Sequence, residues 1–304
     1  MGNNNSSITN TNLTNIYNYI PDINDFRDRY IELEECDYKD LVDLRGEFPN
    51  IFNIGNQWNG SIASSISALL YHELVKLNKN IFIPSRLFIF YNSLLYNSKL
   101  TNQILTIVPS IRQTLKSIAK WGFCPEQYLP YDIQNVMNQP SNTAYQYGGY
   151  YTIEYCKVNS NINDIKLVLN YKKSILCSIP IYSSFHDNNV RITGRIPYPD
   201  NIDSLIGCLS IIVVGYIHSK QLFIIRLSFG DIWGDHGYGY IPYDYLINMG
   251  MDLWCIDILP KEVISIEPPP LPLPNNIPIN NYPVDMGTND NTKSSKLPIQ
   301  SRYM

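Results

Sequence analysis

The sequence has no pair of cysteines at the Cys-x-x-Cys spacing. Its six cysteines, Cys36, Cys124, Cys156, Cys177, Cys208 and Cys255, are widely scattered. That excludes the common zinc and dithiol motifs and points to reduced, mostly buried thiols. Histidine is scarce, four in 304 residues, and no cofactor or metal is expected. Charge is also scarce: 16% of residues are charged and the net charge is −4. No basic surface for nucleic acid or an anionic membrane follows from that balance. No apolar run approaches the ~20 residues of a membrane-spanning helix. The opening "MGNNNSSITNTNLTN" lacks the apolar stretch of a secretory signal, so an intracellular protein is expected.

Apolar residues, by contrast, make up 44% of the chain, enough for a sizeable core in one large or two small domains. Tyrosine is abundant at 24, and Asn and Ile recur, a bias that reads as coding from an AT-rich genome. Residues 1–16 are Asn/Ser/Thr-rich and read as a disordered tail. Gly2 and Ser6 fit the Met-Gly-x-x-x-Ser pattern for myristoylation at Gly2, without a basic cluster as second anchor; an Asn-rich tail also meets so short a pattern by chance. At the other end, residues 261–304 include "EPPPLPLPNNIPINNYP". Proline fixes φ and removes a donor, so this tail joins no helix or central strand. Composition favours a solvated polyproline-rich segment, and such a segment can also dock on a Pro-recognising partner.

Between the tails the pattern changes midway. Residues 61–78, "SIASSISALLYHELVKLN", place Ile62, Ile66, Leu69, Leu70 and Val75 near helical spacing, with Ser and Ala on the other faces. That suits a helix packed on all sides. Residues 84–97 open with Pro-Ser and turn apolar. Residues 109–122 are amphipathic and stop at Gly122. The second half reads as strands at 174–182, 208–217 and 221–229, with a hairpin-length connection through His218, Ser219 and Lys220. Helices first and strands after predict an α+β protein of two lobes with a ligand cleft between them.

The stretch "RLSFGDIWGDHGYGYI", residues 226–241, resembles a signature of papain-like (C1) cysteine peptidases, Asn-Ser-Trp-Gly followed by Trp-Gly-x-x-Gly-Tyr. Ser228, Gly230, Trp233, Gly234, Gly237 and Tyr238 match it. Further stretches match the family in order: "DLRGEFPNIFNIG", "PSRLFIFYN", "GFCPEQYLPYD", "GCLSIIVVGY" and "DLWCI". The resemblance runs from about Tyr17 to Ile258. It implies a helical lobe over about 50–140 and an antiparallel β lobe over about 145–260, in one domain spanning 17–260.

The family's chemistry requires a thiolate at the start of the long helix, a His across the cleft, an Asn that orients the His, and a Gln that stabilises the oxyanion. The nucleophile position falls at Gly60 in an ungapped count or at Ser61 when Ala63 is matched to the family's small residue. The Gln position is Ile54, with Gln57 too near the helix start; the His position is Leu209 and the Asn position Leu227. No catalytic residue is therefore expected. His72, His186, His218 and His236 offer no evident replacement base, and Cys124 and Cys208 read as packing residues. The resemblance implies a pseudoprotease that acts as a binding or structural module, holding peptide or protein in the cleft or on the Pro-rich tail. With the AT-rich bias it suggests a large DNA virus, and a cytoplasmic or virion location. Two alternatives stay open: a hydrolase using Ser61 with an unrecognised base, and a virion structural protein acting through its tails.

Overall fold

The computed structural model describes residues 20–261 apart from 56–59, 79, 102–108 and 137, and only the backbone of 97–101 and 133. Gly2, the Asn-rich tail and the Pro-rich tail beyond Lys261 lie outside the described residues. Three long helices come first: α1 (Ser61–Leu77), α2 (Arg86–Thr101) and α3 (Ile111–Trp121). Their ends follow local chemistry. Ser110 and Gln113 form a reciprocal capping box at the start of α3. Gly122 ends α3 at φ +70, where its absent Cβ would lie 1.8 Å from the carbonyl oxygen of Gly148.

The strands of the second half, with one short strand from ahead of the helices, form one antiparallel sheet. Its strands are β1 (Leu41–Asp43), β2 (Tyr151–Lys157), β3 (Ile175–Tyr182), β4 (Leu205–Ile217), β5 (Leu222–Arg226), β6 (Tyr238–Pro242) and β7 (Met251–Pro260). The order is β2-β7-β3-β4-β5-β6, with β1 paired to β4. β4 and β5 are the hairpin expected from the sequence, and His218–Lys220 form its 3-10 turn. Four short helices were not predicted: α4 (Asn142–Gly148), α5 (Ile162–Asn170), α6 (Asn188–Thr193) and α7 (Tyr243–Met249). The closing strand is twice the length that "DLWCI" alone implied. No helix among the described residues is long and apolar enough to cross a membrane.

α1 lies against β3, β4 and β7 on one side and α2 on another. Its Ser and Ala faces explain how it fits. Ser64, Ser65 and Ser67 are buried along with Ile62, Ile66, Leu69 and Leu70. Small side chains let neighbours approach closely, and their hydroxyls need local partners. Ser67 Oγ donates to the carbonyl of Pro84 at 2.6 Å. His72, further along α1, is fully buried, stacked on Phe48 at 4.7 Å with Nε2 3.1 Å from Glu47 Oε2.

Both outer strands of the sheet are partly covered by irregular chain. Tyr30 bridges Lys157 at the β2 end. On β6, Tyr240 donates its N–H to Gly194 and accepts from the N–H of Ile196. The N-terminal segment is tied down by charge: Arg112 pairs with Asp28, and Asp22 accepts from the Trp254 indole at 3.0 Å.

Two predictions follow from these packing constraints. Gly122→Ala combines a left-handed backbone with a backbone clash and should cost about 2–5 kcal/mol in the denaturant midpoint. His72 is held neutral: burial and the nearby Lys76 push its pKa down to about 4, against the pull of Glu47. A folded pKa below the unfolded one means that the unfolded chain binds the proton first. Stability should be full above about pH 6.5 and fall as pH drops toward 4, by up to ~3 kcal/mol. The buried Glu73 carboxyl, whose pKa burial raises, opposes part of that loss. His72→Gln should flatten the profile in urea melts between pH 4 and 7.

Candidate functional site

Of the four positions that the resemblance implies, Gly60 or Ser61, Ile54 and Leu209 lie at or beside the start of α1, and Leu227 directly follows β5. Gly60 caps the helix and Ser61 opens it. The segment before it is held to the far end of the sheet. Ile54 donates its N–H to Ser228 O at 2.9 Å, and Gly230 donates to Phe52 O at 3.0 Å. A Cβ on Gly60 would lie 3.7 Å from the Ile54 side chain. Gln57 lies outside the described residues.

Leu209 lies on β4 and Leu227 directly follows β5, whose pairing with β4 ends at Ile212 and Arg226. Both leucines belong to the main core and each is 2% exposed. Leu227 donates its N–H to Gly237 O at 3.2 Å.

Beyond Ile212, β5 no longer pairs with β4. The first two turns of α1 supply the missing partners. Ser61 Oγ accepts the N–H of Ser210 at 3.3 Å, and Ser65 Oγ donates to the carbonyl of Ser210 at 2.9 Å. These serines are four residues apart and share one helix face. On the other side of β4, Ser210 Oγ meets Ser178 Oγ at 2.9 Å. No local sequence pattern marks this serine cluster, because its members are spread over three elements. Only the repeated Ser in "SIASSISA" hinted that helix faces other than the apolar one were buried.

Among the described residues, the hydrogen bond of Ser61 is to the Ser210 backbone and not to a histidine. A nucleophilic hydroxyl must give its proton to a base. Here the oxygen receives a backbone N–H, which draws electron density away from it. Nor does a histidine take part in these bonds. His72 stands eleven residues along α1, ~16 Å by helix rise, in the buried contact with Glu47. His218 and His236 are exposed in turns, and His186 sits edge-on to Phe185 at 5.9 Å. The cysteines are equally placed for packing. Cys208 points away from Leu209 into a small cluster with Leu205 and Met251. Burial pushes the thiols of Cys124 and Cys208 up to about 12, so both are protonated at neutral pH. Among the described residues, no three His, Cys, Asp or Glu side chains gather as metal ligands.

Other residues complete the setting. Arg226, next to Leu227, is buried and donates to the Tyr238 hydroxyl at 3.0 Å and the Asn50 carbonyl at 2.8 Å. Arg86 is sandwiched between the rings of Phe52 and Tyr131, at 4.5 and 3.8 Å. Phe185 stacks on Trp233 at 5.2 Å beside Phe229. The Trp-Gly loop is thus anchored by aromatic packing.

Xylellain, a cysteine protease from Xylella fastidiosa, has a solved structure that is 30% identical in sequence, with a TM-score of 0.70 over 79% of this chain and 95% of that one. The chain belongs to the papain-like peptidase C1 family. Among curated proteins, an uncharacterized peptidase C1-like protein of Acanthamoeba polyphaga mimivirus is 29% identical over 209 residues. That match spans 65% of this chain and 66% of the mimivirus protein, just under two thirds of its length. Digestive procathepsin L 3 from the larval midgut of Tenebrio molitor shares the fold at 15% identity, with a TM-score of 0.59 over 75% of this chain and 73% of that one. No protein-family model matches the chain.

The Ser61 contact makes a structural prediction. Ser61→Ala should leave the buried Ser210 N–H without an acceptor and cost about 1–3 kcal/mol in a denaturation midpoint.

Proposed function

We propose that this papain-like protein is catalytically inactive and serves as a binding or structural module. Support comes first from the residues at the family's working positions: Gly60 or Ser61 for the nucleophile, Leu209 for the base, Leu227 for its orienter and Ile54 for the oxyanion group. The observation that carries the reading is the burial of Leu209 and Leu227 together in the core. On this reading the positions of the base and its orienter are held by two core leucines, and an aliphatic side chain neither takes nor returns a proton. Loss of nucleophile and base as a unit costs about a millionfold in rate, or roughly 8 kcal/mol of barrier.

The choice between Gly60 and Ser61 does not alter this reading. No cysteine lies between Gly60 and Phe123, so neither position nor any residue along α1 supplies a thiolate. Ser61 in turn lacks a base and already accepts a backbone hydrogen bond. On this reading the cleft expected between the two lobes holds an extended peptide through main-chain hydrogen bonds. The likeness to a mimivirus protein agrees with a viral origin, and with a role inside the host cell or in the virion.

The test is labelling of the full chain by a thiol-reactive papain-site probe and by a fluorophosphonate, with a peptide-library digest in parallel. The expected result is no site-specific labelling and no cleavage. Stoichiometric fluorophosphonate labelling at Ser61, with cleavage lost in Ser61→Ala, would replace this reading with a serine hydrolase.

A further inference from the structure

The far end of α1, some 24 Å by helix rise from Ser61, borders a second concavity. It measures about 490 Å³ and is lined by Leu74, Leu77, Tyr147, Tyr150, Tyr151 and Ile258. Leu77 and Tyr150 are exposed there. The tyrosines form a stepped ledge: Tyr147 packs on Tyr128 at 4.8 Å and meets Tyr150 edge-on at 5.8 Å. Exposed tyrosine faces beside aliphatic side chains are the surface on which proline rings pack. A polyproline II segment has no internal hydrogen bonds, keeps its backbone solvated and loses little entropy on docking.

The chain itself delivers such a segment to this place. Pro260 and Lys261 line the same groove, and Lys261 donates its N–H to the carbonyl of Tyr150 at 3.0 Å. Lys261 is the last described residue. Pro268–Pro274, "PPPLPLP", begins after residues 262–267 and carries Pro269 and Pro272 at the Pro-x-x-Pro spacing. Six residues reach at most ~20 Å, enough to leave the groove and turn back into it but not to wander far. So short a tether holds the segment at an effective concentration on the order of millimolar.

We propose that the tyrosine-lined groove is a polyproline-binding site and that its occupant is the chain's own Pro268–Pro274 segment. The inference stands apart from the question of catalysis, since no residue of the groove belongs to the site at the start of α1.

The test uses a fluorescent peptide of residues 267–276 and four full-length proteins. One is native. The second replaces Pro268, Pro269, Pro270, Pro272 and Pro274 by Ala. The third adds Tyr150→Ser to those five changes, with Tyr150→Phe as the ring-retaining control and a thermal melt to verify folding. The peptide should bind the five-proline variant. Binding to the native chain should be about tenfold weaker, because the tethered segment competes at ~1 mM against an intrinsic Kd on the order of 0.1 mM. Tyr150→Ser should weaken binding at least tenfold and Tyr150→Phe should not. Failure of the peptide to bind the five-proline variant, or indifference to Tyr150→Ser, would overturn the site. Equal binding to the native chain and the five-proline variant would overturn the occupant.

Discussion

The structure depends on the burial of α1 on every side. A helix with only one apolar stripe would leave the sheet and the other helices without a common surface. α1 instead presents Ile and Leu to some neighbours and Ser and Ala to the rest. The serines carry a cost, since each buried hydroxyl requires a partner. Ser61 and Ser65 meet that requirement at Ser210, on the part of β4 that β5 does not pair with. The helix start and the opening of the sheet therefore satisfy each other. The arrangement fixes Leu209 beside the first turn of α1, and it fixes the neighbouring Ile54 segment through Ser228.

On the proposed reading, that constraint explains how a peptidase frame persists without peptidase residues. The position of a nucleophile at a helix start, and of a base on the adjoining strand, is a product of packing and backbone pairing. Neither needs a polar side chain at position 209 or 227. Leucine fits both positions because the surrounding residues are already core. A His–Asn pair there would have to be hydrogen-bonded to offset its desolvation, whereas two leucines add apolar contact to the same cluster.

Much of this was legible in the sequence. The helical first half was readable because α1, α2 and α3 carry long periodic patterns with clear ends, as Ser110 and Gly122 illustrate. The β4–β5 hairpin was readable from two β-branched runs around a short turn. The four short helices were not, since each of α4 to α7 spans at most nine residues and its pattern is too brief to separate from a turn. β1 was missed for a related reason: three residues make a strand only because β4 is there to pair with. At the candidate site, the positions of Ile54, Leu209 and Leu227 came from the family resemblance, counted from the stretches that match it. The Ser178–Ser210 contact and the Arg86 and Arg226 stacks depend on residues far apart in the chain, and no local pattern announces them.

The treatment of the sheet margins has a consequence for assembly. Tyr30 meets β2 at Lys157, and the chain around Gly194 and Ile196 engages the backbone of β6 at Tyr240. An open strand edge invites another chain to extend the sheet, whether from a second copy or a misfolded neighbour. Here each outer strand meets a local obstruction, at Lys157 on β2 and at Tyr240 on β6. Growth of the sheet from molecule to molecule is hindered at those two points. Contacts between copies there fall to side-chain surfaces, where shape and charge decide which neighbours fit.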